Sequence, residues 1–414
     1  MTEFRSPVGT RDVLPPESAR WERLVALFTS LVERAGYGLV LSPLFEDVAV
    51  FERVGEGTDV VRKEMYDFED KGGRRMALRP EGTAPVVRAY LQYRPTLPFK
   101  AWYVAPNFRY ERPQAGRYRQ HHQVGVEALG TDDPDLDVEV VALGRSMCAR
   151  LGLTGVTLLL NSLGDDVCRP AYLEMLRAFL ARQDLCDEHR ARGQENPLRV
   201  LDCKRDACRT ATQDAPRLAD QLCEPCATHF DRVRTGLDTL GVAYVLQPRL
   251  VRGLDYYTRT TFELAADSLD SAQNAVGGGG RYDKLAEALG GPSTPGIGFG
   301  LGIERLLLAC DAEGVFPAPE TTVDAWVVDT TGGAAALALT AELRTAGIAA
   351  DRSFDARSMK AQFKAADRSG APIAVVVGDQ EAAAGTVTLR DLRSGSQETV
   401  ARADVVDHVR KLLP

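Results

Sequence analysis

The 414-residue sequence contains no apolar run approaching the roughly 18–20 residues needed to cross a bilayer, which excludes a helical membrane span. Its opening stretch, Met1 to Pro7, lacks the apolar core of a secretory signal, so the chain is expected to remain in the cytoplasm. No Gly-Lys pair occurs anywhere, and without one there is no G-x-x-x-x-G-K-[ST] phosphate loop. Cysteine is scarce, eight in all and scattered, which is no disulfide framework in a chain of this size. The thiols read as reduced groups of a cytosolic protein. Basic residues do not predominate either: Lys and Arg number 50 against 58 Asp and Glu, for a net charge of −8. That argues against a general polyanion binder, but local basic patches decide nucleic-acid affinity, not the total. Internal repeats and low-complexity tracts are lacking.

What remains is globular: 44% hydrophobic and 26% charged residues, in a chain long enough for two or three domains. Leu24, Leu27, Phe28, Leu31 and Val32 recur at helical spacing and predict a helix over 16–35, followed by an extended run from Leu39 to Pro43. A second helix is expected over 136–150, and strands over 102–110, 120–129, 155–160, 243–246 and 254–264. Between about 168 and 247 the texture changes to helical, charged and cysteine-bearing, as in an insertion. Pro317-Ala-Pro319 marks a linker. Beyond it, strands over 323–329, 349–354, 372–377 and 386–392 alternate with helices over 334–346, 358–368 and near Leu413. That pattern predicts an α/β domain of 320–414 after a larger one of 1–319.

Four segments carry chemistry. In 120–129, alternation sets Gln123, Gly125 and Glu127 on one face, an amide, a gap and a carboxylate in a row. The facing strand sets Tyr103, Ala105, Asn107 and Arg109 opposite Trp102 and Val104. The connecting loop holds Arg112, Gln114, Arg117 and Arg119, suited to phosphate or nucleic-acid contacts, though a solvated hairpin would look the same. Second, glycine occupies every other position from Gly296 to Gly302, and Arg305 follows at a helix start, where an anion is favoured. Close packing of helix on sheet would require the same glycines. Third, Leu250-Val-Arg-Gly-Leu-Asp-Tyr-Tyr257 and Gly279-Gly-Arg-Tyr282 bring an arginine and three tyrosines, which serve equally well as half-buried strand residues. Fourth, Glu81 and Thr83 bracket Gly82, fit for an ammonium group, unless Thr83 merely caps a helix.

Taken together, these segments resemble the class II aminoacyl-tRNA synthetases, and among them the histidine-specific family, over essentially the whole chain. Phe108-Arg-Tyr-Glu-Arg-Pro-Gln114 is similar to motif 2 of the class, Gly298 to Arg305 to motif 3, and the first helix with its run to Pro43 to the dimer-forming motif 1. The resemblance implies an α+β catalytic domain built on a six-stranded antiparallel sheet with flanking helices, interrupted at about 168–247, and an anticodon-binding α/β domain. It implies ATP-dependent activation of L-histidine, Mg²⁺, transfer to tRNA(His), and a homodimer. By the same likeness Arg109 would hold the ATP α-phosphate, Arg305 the γ-phosphate, and Arg252 the charge that develops during attack. Glu81, Thr83 and Gln123 would bind the amino group; Glu127, Tyr257 and Tyr282 would read the imidazole. Strict alternation puts Tyr256, not Tyr257, on the face of Arg252, and Gly253 would have to break it.

Arg112, Gln114 and Arg117 are then candidates for the acceptor stem. Arg352, Arg357, Lys360, Lys364 and Arg368 are candidates for the anticodon arm, although a solvated helix face would carry the same charges. The sequence departs from the family at His121, where Phe is usual, and at Gly277-Gly278, where larger residues are. Cys203, Cys208, Cys223 and Cys226, with His229 nearby, offer the ligands of a structural zinc site, but ordinary thiols are the favoured reading. The competing function is a histidine-binding regulatory subunit of ATP phosphoribosyltransferase without catalysis. Such paralogues are expected to lack the last domain and part of the arginine set, which are all present here.

Overall fold

A computed structural model describes residues 3–413 apart from 56, 57, 59, 188, 191, 192, 194, 195, 202, 204, 270–273, 320–322, 355 and 356. It divides into two compact units, one of residues 20–317 with the first 14, the other of residues 318–414 with 15–19.

In the larger unit the strands are β1 (Gly38–Leu39), β2 (Phe45–Asp47), β3 (Tyr66–Glu69), β4 (Arg75–Leu78), β5 (Phe99–Phe108), β6 (Gln120–Leu129), β7 (Val156–Ser162), β8 (Val245–Leu246), β9 (Thr258–Ala266), β10 (Ala275–Arg281) and β11 (Gly296–Gly302). The main sheet runs β1-β5-β6-β11-β10-β9-β7-β8, and β2-β4-β3 form a small separate one. The main sheet therefore has eight strands, not the six expected. Its six central strands pair antiparallel throughout; β1 and β8 are two-residue strands added in parallel at the edges. Strands so short have no periodicity to read.

The even-numbered face of β5 and β6, with Trp102, Val124 and Val126, is buried in one apolar core under the helices Glu17–Glu33 and Pro134–Arg150. Leu24, Phe28 and Val32 come from the first of these, on the face expected from their spacing. The odd-numbered face is left for other uses. Several expected boundaries move, two of them near the site. The run after the first helix pairs only at Gly38–Leu39, and the stretch before Thr258 is a turn and not a strand.

Arg281, inside the Gly-Arg-Tyr segment, is fully buried and serves the scaffold. Its guanidinium meets Asp137 at 2.7 Å and Asp283 at 3.0 Å, and Asp137 also bonds His229 at 2.8 Å. His229 is thus engaged away from the cysteines. A buried charge network of this kind pins β10 to the helices beneath it, because removing one partner would leave the others uncompensated.

The smaller unit holds β12 (Ala325–Asp329), β13 (Ala350–Arg352), β14 (Ile373–Val377), β15 (Thr386–Asp391) and β16 (Gln397–Ala401) in the order β13-β12-β14-β15-β16. The first three are parallel and the last two antiparallel, with helices including Ala334–Thr345, Met359–Ser369 and Val405–Leu412. β16 and the helix Asp379–Ala384 were not foreseen; both are short and mostly exposed.

Candidate active site

The odd-numbered face of β5 and β6 floors a cavity of about 860 Å³, within the usual range for small-molecule sites. Register pairs Tyr103 with Gly125, Ala105 with Gln123 and Asn107 with His121. Behind the lining residues Thr83 and Tyr103 lies Glu127, wholly buried. Its Oε1 accepts from the Thr83 hydroxyl at 2.7 Å and the Tyr103 hydroxyl at 3.2 Å, and its Oε2 accepts from the Tyr282 hydroxyl. Burial pushes its carboxyl up to about 8, against the pull of those three donors.

Glu81 is buried beside it and also raised, chiefly by desolvation. Its carboxylate accepts from the backbone N–H of Thr83 at 2.5 Å and of Ala84 at 2.9 Å, so Glu81, not Thr83, caps the helix Thr83–Tyr93. Thr83 is thereby free to aim its hydroxyl at Glu127. Gln123 accepts from the Asn107 amide at 2.7 Å, which sets its orientation. Tyr256 and Tyr257 both line the cavity with ring centroids 4.7 Å apart, and Tyr256 stands edge-on to Tyr282 at 5.9 Å. The turn before β9 removes the alternation problem: neither tyrosine lies in a strand, and both face inward.

Arg109, Arg252 and Arg305 line the same cavity, with Arg117 beside them. Arg109 is held by the Pro80 carbonyl at 2.9 Å. Arg252 is clamped by Glu263 at 2.8 Å and lies 5.9 Å from the Tyr257 ring centroid. Arg305 bonds the carbonyls of Gly116 at 3.2 Å and Ala275 at 2.5 Å, tying the hairpin loop to the glycine-rich strands. A Cβ at Gly278 would lie 2.5 Å from the Phe262 carbonyl oxygen and 2.9 Å from the Arg252 guanidinium, so the neighbouring strand leaves no room for a larger residue. His121 also lines the cavity; burial and the nearby Arg109 push its imidazole down to about 3, so it is neutral at ordinary pH.

A pocket of carboxylates, an amide and phenols thus adjoins a cluster of guanidinium groups. The first end suits a small polar molecule with N–H donors, the second a phosphate chain. Among the hairpin candidates, Arg117 reaches the cavity and pairs with Glu111, while Arg112 and Gln114 are exposed at the loop. In the smaller unit Arg352 packs over Phe354 at 4.9 Å, and Arg357, Lys360, Lys364 and Arg368 are exposed. The four cysteines proposed as one group are not brought together. Cys203 and Cys208 join Cys186 and His189, whereas Cys223 and Cys226 join Asp165 and Cys168.

Tyr103, Asn107 and Glu263 were not singled out from sequence. For the first two the signal was present, since they share the face of Arg109 and lie across from the polar row on β6. Glu263 gave none.

The family model for histidyl-tRNA synthetase matches residues 9–306, and that for an anticodon-binding domain matches residues 326–412. The histidine–tRNA ligase of Rhodococcus erythropolis is 50% identical over 416 residues, covering 99% of this chain and 98% of that protein. That of Moorella thermoacetica is 49% identical over 414 residues, covering 98% of each. Among solved structures, apo histidyl-tRNA synthetase from S. aureus aligns with a TM-score of 0.83 at 37% identity, over 99% of this chain and 100% of that one.

Proposed function

The chain belongs to the histidyl-tRNA synthetase family, and from that premise we infer how its cavity carries out the histidine–tRNA ligase reaction. The observation that carries the reading is the convergence of Arg109, Arg252 and Arg305 on one cavity whose lining residues Thr83 and Tyr103 bond the buried Glu127.

ATP enters as its magnesium complex, with Arg109 on the α-phosphate and Arg305 on the γ-phosphate. Glu263, paired with Arg252, and Glu304, which accepts from the His122 backbone N–H, both lie on the cavity wall and would offer hard oxygen donors of the type Mg²⁺ takes. The ion, when bound, neutralises charge on the departing pyrophosphate. Histidine lies across β6, its ammonium group at Glu81, Thr83 and Gln123, its imidazole at Glu127, Tyr257 and Tyr282 with Tyr256 closing the wall. Its carboxylate oxygen then attacks the α-phosphorus in line. The new P–O bond forms as the bond to the bridging oxygen breaks, and pyrophosphate leaves. Arg252, oriented by Glu263, stabilises the charge gathering at the α-phosphate, so the protein contributes mainly position and electrostatics.

In the second step a terminal ribose hydroxyl of tRNA attacks the acyl carbon of the adenylate and AMP departs. Arg112, Gln114 and Arg117 are proposed to guide the acceptor end. Arg352, Arg357, Lys360, Lys364 and Arg368 are proposed to meet the anticodon arm in an anticodon-binding domain of 320–414, following a catalytic domain of 1–319. A pocket that hydrogen-bonds the imidazole should reject apolar amino acids by ~10⁴-fold or more, without an editing site. The protein is proposed to act in the cytoplasm as a homodimer. Support for the dimer comes from Leu39, Leu41, Leu44 and Phe45, which leave an apolar run exposed beside the sheet edge at β1.

Charging of tRNA(His) tests the reading. Labelled histidine should become acid-precipitable in the presence of ATP. A folded protein that binds histidine but charges no tRNA would instead fit a regulatory subunit.

A further inference from the structure

Two sets of four side chains converge in the segment between Asp165 and Cys226, the inner one reaching the cavity wall at Cys203, and neither is used by the reaction. In the inner set, one ligand atom each from Cys186, His189, Cys203 and Cys208 lies within 4.8 Å of every other. All these cysteines are free thiols, so no disulfide explains the convergence. The Cys186 Sγ and His189 Nδ1 are 2.9 Å apart, and the backbone N–H of Cys186 donates to the Cys208 Sγ at 3.3 Å. Tetrahedral zinc, with bonds of about 2.3 Å to sulfur and about 2.0–2.1 Å to nitrogen, needs ligand atoms about 3.6–3.8 Å apart. The tetrad needs only small side-chain adjustments to reach that spacing.

The local fold supplies a reason for a cross-link. Around these ligands the helices are Leu198–Leu201 and Asp206–Ala211, far too short to persist on their own. Yet this segment braces the catalytic loop. Arg249 bonds the carbonyl of Leu201 at 3.0 Å and the hydroxyl of Thr212 at 2.7 Å, while Arg199 bonds the Gly253 carbonyl at 2.6 Å. Arg252 lies between those two anchor points. A short-helix segment that must hold a catalytic arginine in register needs a staple, and small scaffolds obtain one from structural metals.

We propose that Cys186, His189, Cys203 and Cys208 bind a structural zinc ion that fixes the wall of the cavity behind Arg252. Three thiolates and a neutral imidazole form a closed Cys₃His set with no open position, as a structural site requires.

The outer set carries a second site independently. Asp165, Cys168, Cys223 and Cys226 also present ligand atoms within 4.8 Å of one another, joining the end of β7 to the starts of the helices Arg169–Leu180 and Glu224–Thr239. The Arg259 guanidinium sits 3.6 Å from Asp165, where it offsets the negative charge a Cys₃Asp zinc site would retain. The pairs nest, outer around inner, so two ions would staple the whole segment.

Zinc content of the full-length protein, purified under reducing conditions and exchanged into metal-free buffer, tests both sites. The wild type should hold about two zinc ions per chain, and Cys208→Ser and Cys223→Ser should each hold about one. Loss on Cys208→Ser alone upholds the inner site and overturns the outer; loss on Cys223→Ser alone does the reverse. A wild type without zinc that also takes up none from added zinc sulfate, with all eight thiols still titratable, overturns both. Because serine variants can misfold, Cys208→His supplies a control: it should retain the inner zinc, and loss of that ion in a folded variant counts against the site.

Discussion

Gly298 faces Glu127 across the ladder between β11 and β6, and a Cβ at Gly298 would come within 1.9 Å of the Glu127 Oε2. The absence of a side chain on one strand is what admits the buried carboxylate of the next. The glycine run from Gly296 to Gly302 is therefore a mould for side chains of the cavity, and not only a flat bed for a nucleotide. Gly298→Ala should displace Glu127 and lower histidine-dependent activation by about 100-fold or more, since an error of ~1 Å in placement costs that much. Steady-state kinetics of the folded variant checks this, and near-normal activity would contradict it.

Tyr103 shares the face of Arg109 but stands outside the motif segments, so its role shows only in the structure. Its hydroxyl reaches Glu127 at 3.2 Å, and its ring covers Gly125. Tyr103→Phe removes one hydrogen bond of about 1 kcal/mol, so the KM for histidine should rise about fivefold with kcat nearly kept. A large fall in kcat with unchanged KM would place Tyr103 in the chemistry instead.

Glu127 should leave a signature in stability against pH. Its carboxyl ordinarily loses a proton near 4.5, but in the fold it does so only near about 8. Between those values the native state holds a proton the unfolded state has released. Raising the pH through that window therefore destabilises the native state. Glu127→Gln lacks this penalty, so its melting temperature relative to wild type should climb from about pH 5 to about pH 8 and then level off. A difference that stays flat with pH would contradict the assignment of the raised carboxyl.

The buried network around Arg281 makes a separate prediction. Asp137 bonds both Arg281 and His229, and all three are shielded from water. Asp137→Ala should cost about 3–5 kcal/mol in denaturant unfolding, because it leaves buried Arg281 with Asp283 as its one carboxylate and removes the partner of His229. A loss below about 1 kcal/mol would mean that water or another group compensates.

How much of this could be read from sequence varies with the range of the interaction. Period-two alternation alone placed Gln123, Gly125 and Glu127 on one face, and helical spacing placed Leu24, Phe28 and Val32 in the core. Those patterns are local. The edge strands β1 and β8 are two residues long and have no pattern to find. The clamp of Glu263 on Arg252 spans a turn that interrupts the alternation, so neither residue's spacing announced the other. The cysteines mislead for a related reason. Chain order pairs Cys203-x4-Cys208 with the next pair, Cys223-x2-Cys226, but the fold nests the pairs, so each meets a partner from an earlier turn.

The central claim is that Arg252, held by Glu263 at the mouth of the histidine pocket, stabilises the charge formed as histidine attacks ATP. Histidine-dependent exchange of labelled pyrophosphate into ATP measures that step directly. The wild type should exchange only when histidine is present, and Arg252→Ala should lose about 10²–10³ in kcat with little change in the KM for histidine. Exchange that Arg252→Ala leaves intact, or that another amino acid drives as well as histidine, would contradict the account.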